Sequence, residues 1–243
     1  MSEENMIFIG GITGGIGSAL ARHLQAEGHL VAGYARDAER AEAFQKETGI
    51  KVLTGDATDP AALQETFDAA TKELGRIDAY VHAIGSIYLK PAHLTPDEDW
   101  HETLTKNLSS AFYALRCATK IMQKQGTGAC LFFSTAAAQT GIANHEAIAA
   151  AKGGVEALVR SAAATYASKG VRINAIAPSL TNTPLAKPIV GSEQALEFSK
   201  RMHPLGDITQ PEDVASLAAW LISDAGRFVT GQTYVIDGGL STI

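Results

Sequence analysis

The residues best suited to holding a charged ligand lie near the amino terminus, in Ile7-Phe-Ile-Gly-Gly-Ile-Thr-Gly-Gly-Ile-Gly17. Glycines at 11, 15 and 17 give the spacing G-x-x-x-G-x-G. The commoner G-x-G-x-x-G cannot be threaded through this turn, because Ile12, Thr13 and Leu20 stand where it needs small residues. Residues 6–9 are an apolar run that reads as a buried strand, and 18–25 have helical periodicity. Amides at the start of such a helix lack partners and carry partial positive charge, and small side chains leave an anion room. The chemistry this suits is capture of a dinucleotide's pyrophosphate; the competing reading is a glycine-rich turn with no ligand.

The elements that follow must position any partner groups. Residues 29–35 read as a second strand, followed by Arg36 and a helical segment over 37–45. In a doubly wound sheet the end of that strand meets the adenosine ribose, where a carboxylate takes the 2′-hydroxyl of NAD and a guanidinium accommodates the 2′-phosphate of NADP. Ala35 stands at the carboxylate position and Arg36 follows it, so NADP(H) is favoured over NAD(H). The alternative use of Arg36 is to pair with Asp37 or Glu39 at a helix start. A third strand, 51–53, ends in Gly55-Asp56-Ala57, which puts Asp56 within reach of an adenine amino group unless it caps a turn. Asp59 and Pro60 suit the start of the next helix.

A fourth strand, 79–83, leads into Ile84-Gly85-Ser86, and 97–125 reads as one long helix containing Asn107. Asparagine competes for backbone bonds inside a helix, so Asn107 marks a bend with a polar task or else a plain surface position. A fifth strand, 129–134, ends in Ser134-Thr135, at the strand ends where this architecture binds ligands. The helix over 144–168 carries Lys152 in a run of small apolar residues. A cation there must snorkel to solvent or meet an anionic or hydroxylated ligand. The sixth strand, 171–176, ends in Pro178-Ser179; residues 181–206 suit a substrate lid, a helix starts at Pro211, and 232–236 form a last strand. About seven strands alternating with helices predict one α/β domain over 1–243, a doubly wound parallel sheet with helices on both faces.

Composition fits that reading. With 243 residues and 46% hydrophobic content the chain can bury a large core, and no linker interrupts it. Lys and Arg total 20 against 26 Asp and Glu, for a net charge of −6 with no basic tract, so a nucleic-acid partner is not expected. No apolar run approaches the roughly 20 residues that cross a bilayer, and the start, Met-Ser-Glu-Glu-Asn, is acidic where a signal peptide is basic. Cys117 and Cys130 read as buried thiols, pointing to a cytoplasmic location, and no metal ligand set is assigned.

Several pieces stand in one order along nearly the whole chain: Gly11-x-x-x-Gly15-Ile16-Gly17, Asp56, Ala83-x-Gly85, Asn107, Ser134-Thr135, Lys152, Asn174-Ala-Ile-Ala-Pro178, Thr183-Pro184, Pro211-Glu-Asp-Val-Ala215, Thr230-Gly231 and Asp237-Gly238-Gly239. In that order they resemble the short-chain dehydrogenase/reductase family, and the last third looks like its 3-oxoacyl carrier-protein reductase branch. The resemblance implies a Rossmann sheet, a nicotinamide cofactor and a homodimer or homotetramer. It implies cofactor contacts from Gly11, Thr13, Gly15, Ile16 and Gly17, from Asp56 and Ala57 at the adenine, and from Ala83 and Gly85. Lys152, Pro178, Thr181 and Thr183 complete that set, with Thr183 at the nicotinamide carboxamide.

The departures bear on chemistry. Gly10 replaces the family's threonine, His82-Ala83-Ile84-Gly85 its Asn-Asn-Ala-Gly, and Pro178-Ser179 its Pro-Gly. Four residues before Lys152, where the family carries its proton-transferring tyrosine, stands Ile148; the family serine, thirteen residues earlier, falls on Thr135. Asn107, Thr135 and Lys152 remain as candidate catalytic residues. A positioned acid is typically worth about 10²–10⁴-fold, and Ile148 cannot supply one. His145, three residues earlier on roughly the same helical face, is a substitute acid or a helix-start histidine near solvent. A conjugated enone would instead give an enolate, which Thr135, Lys152 or water could stabilise. His82 and Tyr88 flank the same crevice, although a lone histidine after a strand more often has a structural use. The resulting expectation is an NADP(H)-dependent oxidoreductase reducing a small-molecule carbonyl or conjugated enone. The alternative is a catalytically impaired nucleotide-binding sensor or structural partner subunit.

Overall fold

The computed structural model describes residues 5–242, so the acidic start, residues 1–4, lies outside the described part. Seven strands form one parallel sheet: β1 Met6–Gly10, β2 Leu30–Ala35, β3 Lys51–Thr54, β4 Ala79–His82, β5 Gly128–Phe133, β6 Val171–Pro178 and β7 Thr233–Ile236. Their order is β3-β2-β1-β4-β5-β6-β7. The direction of winding reverses at β1, where Gly10 stands opposite Tyr34 on one side and His82 on the other. Crossovers leave to opposite faces at that point, and the carboxyl ends of β1 and β4 open a crevice. β1, β4 and β5 are buried at every position, which is why they read as continuous apolar runs rather than alternating ones.

Helices cover both faces. On one lie α1 Gly15–Ala26, α2 Ala38–Thr48 and α9 Pro211–Ile222, packing Leu20, Leu24, Phe44 and Val214 against Ile7, Ile9, Val81 and Leu131. On the other lie α3 Pro60–Leu74, α5 Ser110–Gln125 and α6 Glu146–Tyr166, covering Phe8, Tyr80 and Phe132. Asp59 Oδ1 accepts from the Ala61 and Ala62 amides and Pro60 takes the first turn of α3, as expected from their order. Among the described residues no helix is long and apolar enough to cross a membrane. Cys117 and Cys130 are buried free thiols, and burial pushes Cys130 up to about 12.

Several strand ends shift by one or two residues, and two helical differences bear on the site. The segment 97–125 is two helices, α4 Asp97–Leu104 and α5, joined by a π turn over Thr105–Ser109 that contains the fully buried Asn107. The bend predicted for Asn107 is thus an inserted residue in the helical ladder, a feature common at functional sites. The helix predicted from 144 starts at Glu146, because Asn144 takes a left-handed φ of 65°. His145 therefore precedes the helix instead of sharing a face with Ile148.

A chain of polar side chains crosses the sheet centre. Tyr34 and Tyr80 hydroxyls lie 2.9 Å apart, Tyr80 Oη is 2.8 Å from His82 Nδ1, and His82 Nε2 is 3.1 Å from Ser110 Oγ. Ser110 Oγ donates to the Lys106 carbonyl, so it accepts from His82 Nε2–H, and in the neutral ring Nδ1 accepts from Tyr80. Burial, not the bonding, selects that neutral form. Burial, with the charge of Lys152 adding to it, pulls His82 from 6.5 to about 3. The folded value lies below the unfolded one, so this site costs nothing above pH 6.5 and destabilises the fold as pH falls toward 3, by roughly 3–5 kcal/mol at full extent. The stability advantage of wild type over His82→Asn in urea should accordingly shrink between pH 7 and 4; an unchanged gap would show that the ring is not held neutral.

Candidate active site

The glycine turn is built for close approach. Gly11 has φ +76°, and a Cβ there would lie 2.6 Å from the Ala83 carbonyl oxygen, while one on Gly17 would overlap the Gly11 carbonyl oxygen. A Cβ on Gly15 would meet Thr183 Cγ2 at 2.5 Å, so the start of the 181–206 segment lies directly over the turn. α1 has no side-chain cap and no acidic residue in its first turn. The amides of Gly15, Ile16 and Gly17 donate to no group among the described residues. A cradle that any Cβ would fill, above uncapped amides, fits a pyrophosphate.

Two guanidinium groups stand beside it. Arg36 is exposed just past β2 and joins no ion pair among the described residues, so pairing with Asp37 or Glu39 is not its use. Arg40, which the sequence reading passed over, reaches back from α2 to donate from Nη2 to the Thr13 carbonyl at 2.8 Å. Its spacing of four from Arg36 was the available signal. Asp56 Oδ1 accepts from the Thr58 amide and hydroxyl, so one oxygen caps a turn. Burial raises its affinity for protons, but those two bonds outweigh it and hold the carboxyl below the usual range. Neighbouring Ala57 is buried.

From the crevice a cavity of about 980 Å³ runs under the 181–206 segment. Ile16, Ala83, Gly85, Asn107, Thr135, His145, Ile148, Lys152, Pro178, Thr181 and Thr183 all line it. Asn107 spends its side chain on the neighbouring loop: Oδ1 accepts from the Ser86 amide, and Nδ2 donates to Ser86 Oγ and the Thr103 carbonyl. Gly85 lies against both Asn107 Oδ1 and Lys152 Nζ, at 2.7 and 3.2 Å from where a Cβ would sit. Lys152 is 8% exposed and donates to the Phe133 carbonyl at 2.9 Å, with no carboxylate within ion-pair distance among the described residues. Burial lowers it from 10.5 to about 8.

At the end of β5 the two hydroxyls separate. Both residues line the cavity: Ser134 Oγ donates to Glu156, which Gln139 also holds, whereas Thr135 Oγ1 accepts weakly from the Ala137 amide at 3.3 Å. Ile148, 5% exposed, presents only carbon. His145 Nδ1 is bound to the Ala143 carbonyl at 2.8 Å, close to solvent. Tyr88 donates to Asp99 and does not line the cavity. Residues 181–206 comprise a short turn, α7 Lys187–Val190 and α8 Glu193–Arg201, and bring Leu185, Ile189, Phe198 and Met202 to the mouth.

A family model described as enoyl-(acyl carrier protein) reductase matches residues 11–241. D-threitol dehydrogenase of Mycolicibacterium smegmatis is 33% identical over 98% of this chain and 93% of its own length. The NADP-dependent (R)-specific alcohol dehydrogenase of Lentilactobacillus kefiri is 32% identical over 98% and 96%. Among solved structures, ElxO with NADP bound superposes with a TM-score of 0.93 at 26% identity, covering 99% of this chain and 100% of that one. With a parallel sheet, a glycine cradle at its switch point and relatives of matching length, the chain belongs to the short-chain dehydrogenase/reductase family of nicotinamide-dependent oxidoreductases.

Proposed function

We propose that the protein is an NADP(H)-dependent oxidoreductase that reduces an apolar small-molecule carbonyl or conjugated enone, with a proton donor other than a tyrosine at position 148. The observation that carries this reading is that the buried Lys152, with no carboxylate within ion-pair distance among the described residues, and Thr135 line one cavity that adjoins the glycine cradle. Bound reduced nicotinamide supplies hydride. Gly11, Thr13, Gly15, Ile16 and Gly17 bind the pyrophosphate through backbone, and Arg36 with Arg40 takes the 2′-phosphate. The free oxygen of Asp56, beside Ala57, accepts from the adenine. Ala83, Gly85, Pro178, Thr181 and Thr183 orient the nicotinamide end. Lys152 keeps positive charge near the oxygen that becomes negative, Thr135 donates a hydrogen bond to it, and Asn107 fixes the Gly85-Ser86 loop around both. The NADP named for ElxO and the L. kefiri relative supports the cofactor preference. An enone needs no acid at the oxygen, in keeping with the enoyl reductase description of the matching model.

The 181–206 segment acts as the lid, and its apolar lining selects an uncharged substrate. Exposed Phe112, Trp220 and Phe228 favour a homodimer or homotetramer in the cytoplasm. A second reading, a nucleotide sensor or partner subunit without turnover, is favoured by the carbon-only surface of Ile148.

Fluorescence titration should show NADPH binding at least tenfold tighter than NADH, with Arg36→Ala/Arg40→Ala weakening NADPH about 10–100-fold and NADH little. Equal affinities would remove the phosphate assignment. Turnover on cyclohexanone and cyclohex-2-enone decides between the readings: an inert wild type and an active Ile148→Tyr would establish the sensor.

A further inference from the structure

Ser179 and His203 form a hydrogen-bonded pair in the cavity wall that the contacts above leave unused. Ser179 directly follows β6 and is partly exposed, while His203, just past α8, is 3% exposed. His203 Nε2 lies 2.9 Å from Ser179 Oγ, and Nδ1 lies 2.7 Å from the Ser199 carbonyl oxygen. A carbonyl only accepts, so Nδ1 keeps its proton whether the ring is neutral or charged. Nε2 is then the atom that gains and loses one. Neutral, it accepts from Ser179 O–H; protonated, it donates to Ser179 Oγ.

Thr209 Oγ1 lies 3.1 Å from Ser179 Oγ, a second hydrogen-bond partner for that oxygen. The Asp237 carboxylate, fixed by the Gly239 and Ser241 amides, carries its charge near the ring. Lys200 and Asp207, on the elements flanking His203, lie 3.5 Å from each other and so largely cancel. Of the two candidates read from the sequence, among the described residues Thr135 has no base hydrogen-bonded to it and His145 has no hydroxyl. Against the family pattern the chain has a hydrocarbon at 148 and, at 179, a hydroxyl in place of glycine.

We propose that Ser179, backed by His203, exchanges the proton with the substrate oxygen, an assignment that rests on the oxidoreductase reading of this cavity. In reduction the carbonyl carbon gains hydride and the C=O π pair moves to oxygen. That oxygen takes the Ser179 proton, and Ser179 Oγ takes the Nε2 proton of the imidazolium. The products are an alcohol, an intact serine hydroxyl and a neutral imidazole, which regains its proton from solvent. Alcohol oxidation runs the same transfers backwards, starting from neutral His203. Ser179 is the catalytic residue here and His203 the positioning and proton-supplying one.

The test uses the full chain with NADPH and cyclohexanone. Ser179→Ala and His203→Ala should each lower kcat about 100-fold at unchanged NADPH affinity. Ser179→Thr should retain most of the rate, and added imidazole should restore part of that of His203→Ala, as a purely structural histidine would not allow. A readout without cofactor is ¹⁵N NMR of the imidazole: cyclohexanone should shift His203 Nε2 in wild type but not in Ser179→Ala. An active wild type whose Ser179→Ala keeps its rate within about twofold overturns this assignment alone, as does an imidazole-insensitive His203→Ala with weakened NADPH binding. A wild type active on cyclohex-2-enone but inert on cyclohexanone overturns this assignment alone, and one inert on both overturns this assignment and the functional reading together.

Discussion

Lys152→Met is expected to make the cofactor-free protein more stable and nearly inactive. Its ammonium is buried, spends one hydrogen bond on the Phe133 carbonyl, and faces no carboxylate within ion-pair distance among the described residues. Folding lowers its affinity for a proton from 10.5 to about 8, so the folded state disfavours the charged form. The destabilisation is fully present below about pH 8 and fades as pH rises to 10.5, where the unfolded chain also loses the proton. Methionine fills a similar volume without charge, and the gain at pH 7 should be roughly 1–3 kcal/mol. Turnover should fall about 10²–10⁴-fold, because the lysine charge that stabilises the substrate oxygen is gone. Urea denaturation at pH 7 and 10 checks the first part: the advantage of the variant should be large at pH 7 and mostly gone at pH 10. A gap that does not depend on pH would mean the lysine reaches solvent.

Gly17→Ala should abolish cofactor binding and cost about 2–4 kcal/mol of stability. The added methyl would overlap the Gly11 carbonyl oxygen and lie 3.0 and 3.1 Å from the Gly11 carbonyl carbon and Ile12 Cα. All three are backbone, so no side-chain rotation relieves the clash. α1 must instead move off the turn, and its uncapped amides lose their common focus. The contrasting substitution is Gly153→Ala in the middle of α6, where a Cβ meets nothing within 4 Å. Helix propensity alone should raise stability there by about 0.5–1 kcal/mol. Thermal melts and NADPH titration of the two variants separate the effect of a methyl from that of its position. Normal NADPH affinity in Gly17→Ala would contradict the cradle.

The strands were legible as elements because most are short apolar runs closed by turn-forming residues, and parallel strands buried on both faces need no alternation to be found. Lys152 was legible by contrast with its neighbours, and Asn107 by its poor fit to a helix. Arg40 was not, since a charged residue on an exposed helix looks the same whether or not it reaches a distant carbonyl. The Ser179–His203 pair is joined across 24 positions by the path of the intervening segment, which periodicity does not encode. His145 was assigned to the face of Ile148 because the left-handed turn at Asn144, which delays the helix, leaves no pattern in composition.

The hydroxyl chain through Tyr34, Tyr80, His82 and Ser110 makes the first strand's last residue dependent on two others. A Cβ on Gly10 would lie 2.7 and 2.8 Å from the two phenol oxygens, space a threonine would need. The absence of a side chain at 10 and the phenols at 34 and 80 are thus sterically coupled. Transplanting this first strand into a relative, or a relative's into this chain, would carry over a mismatch unless all three positions travelled together.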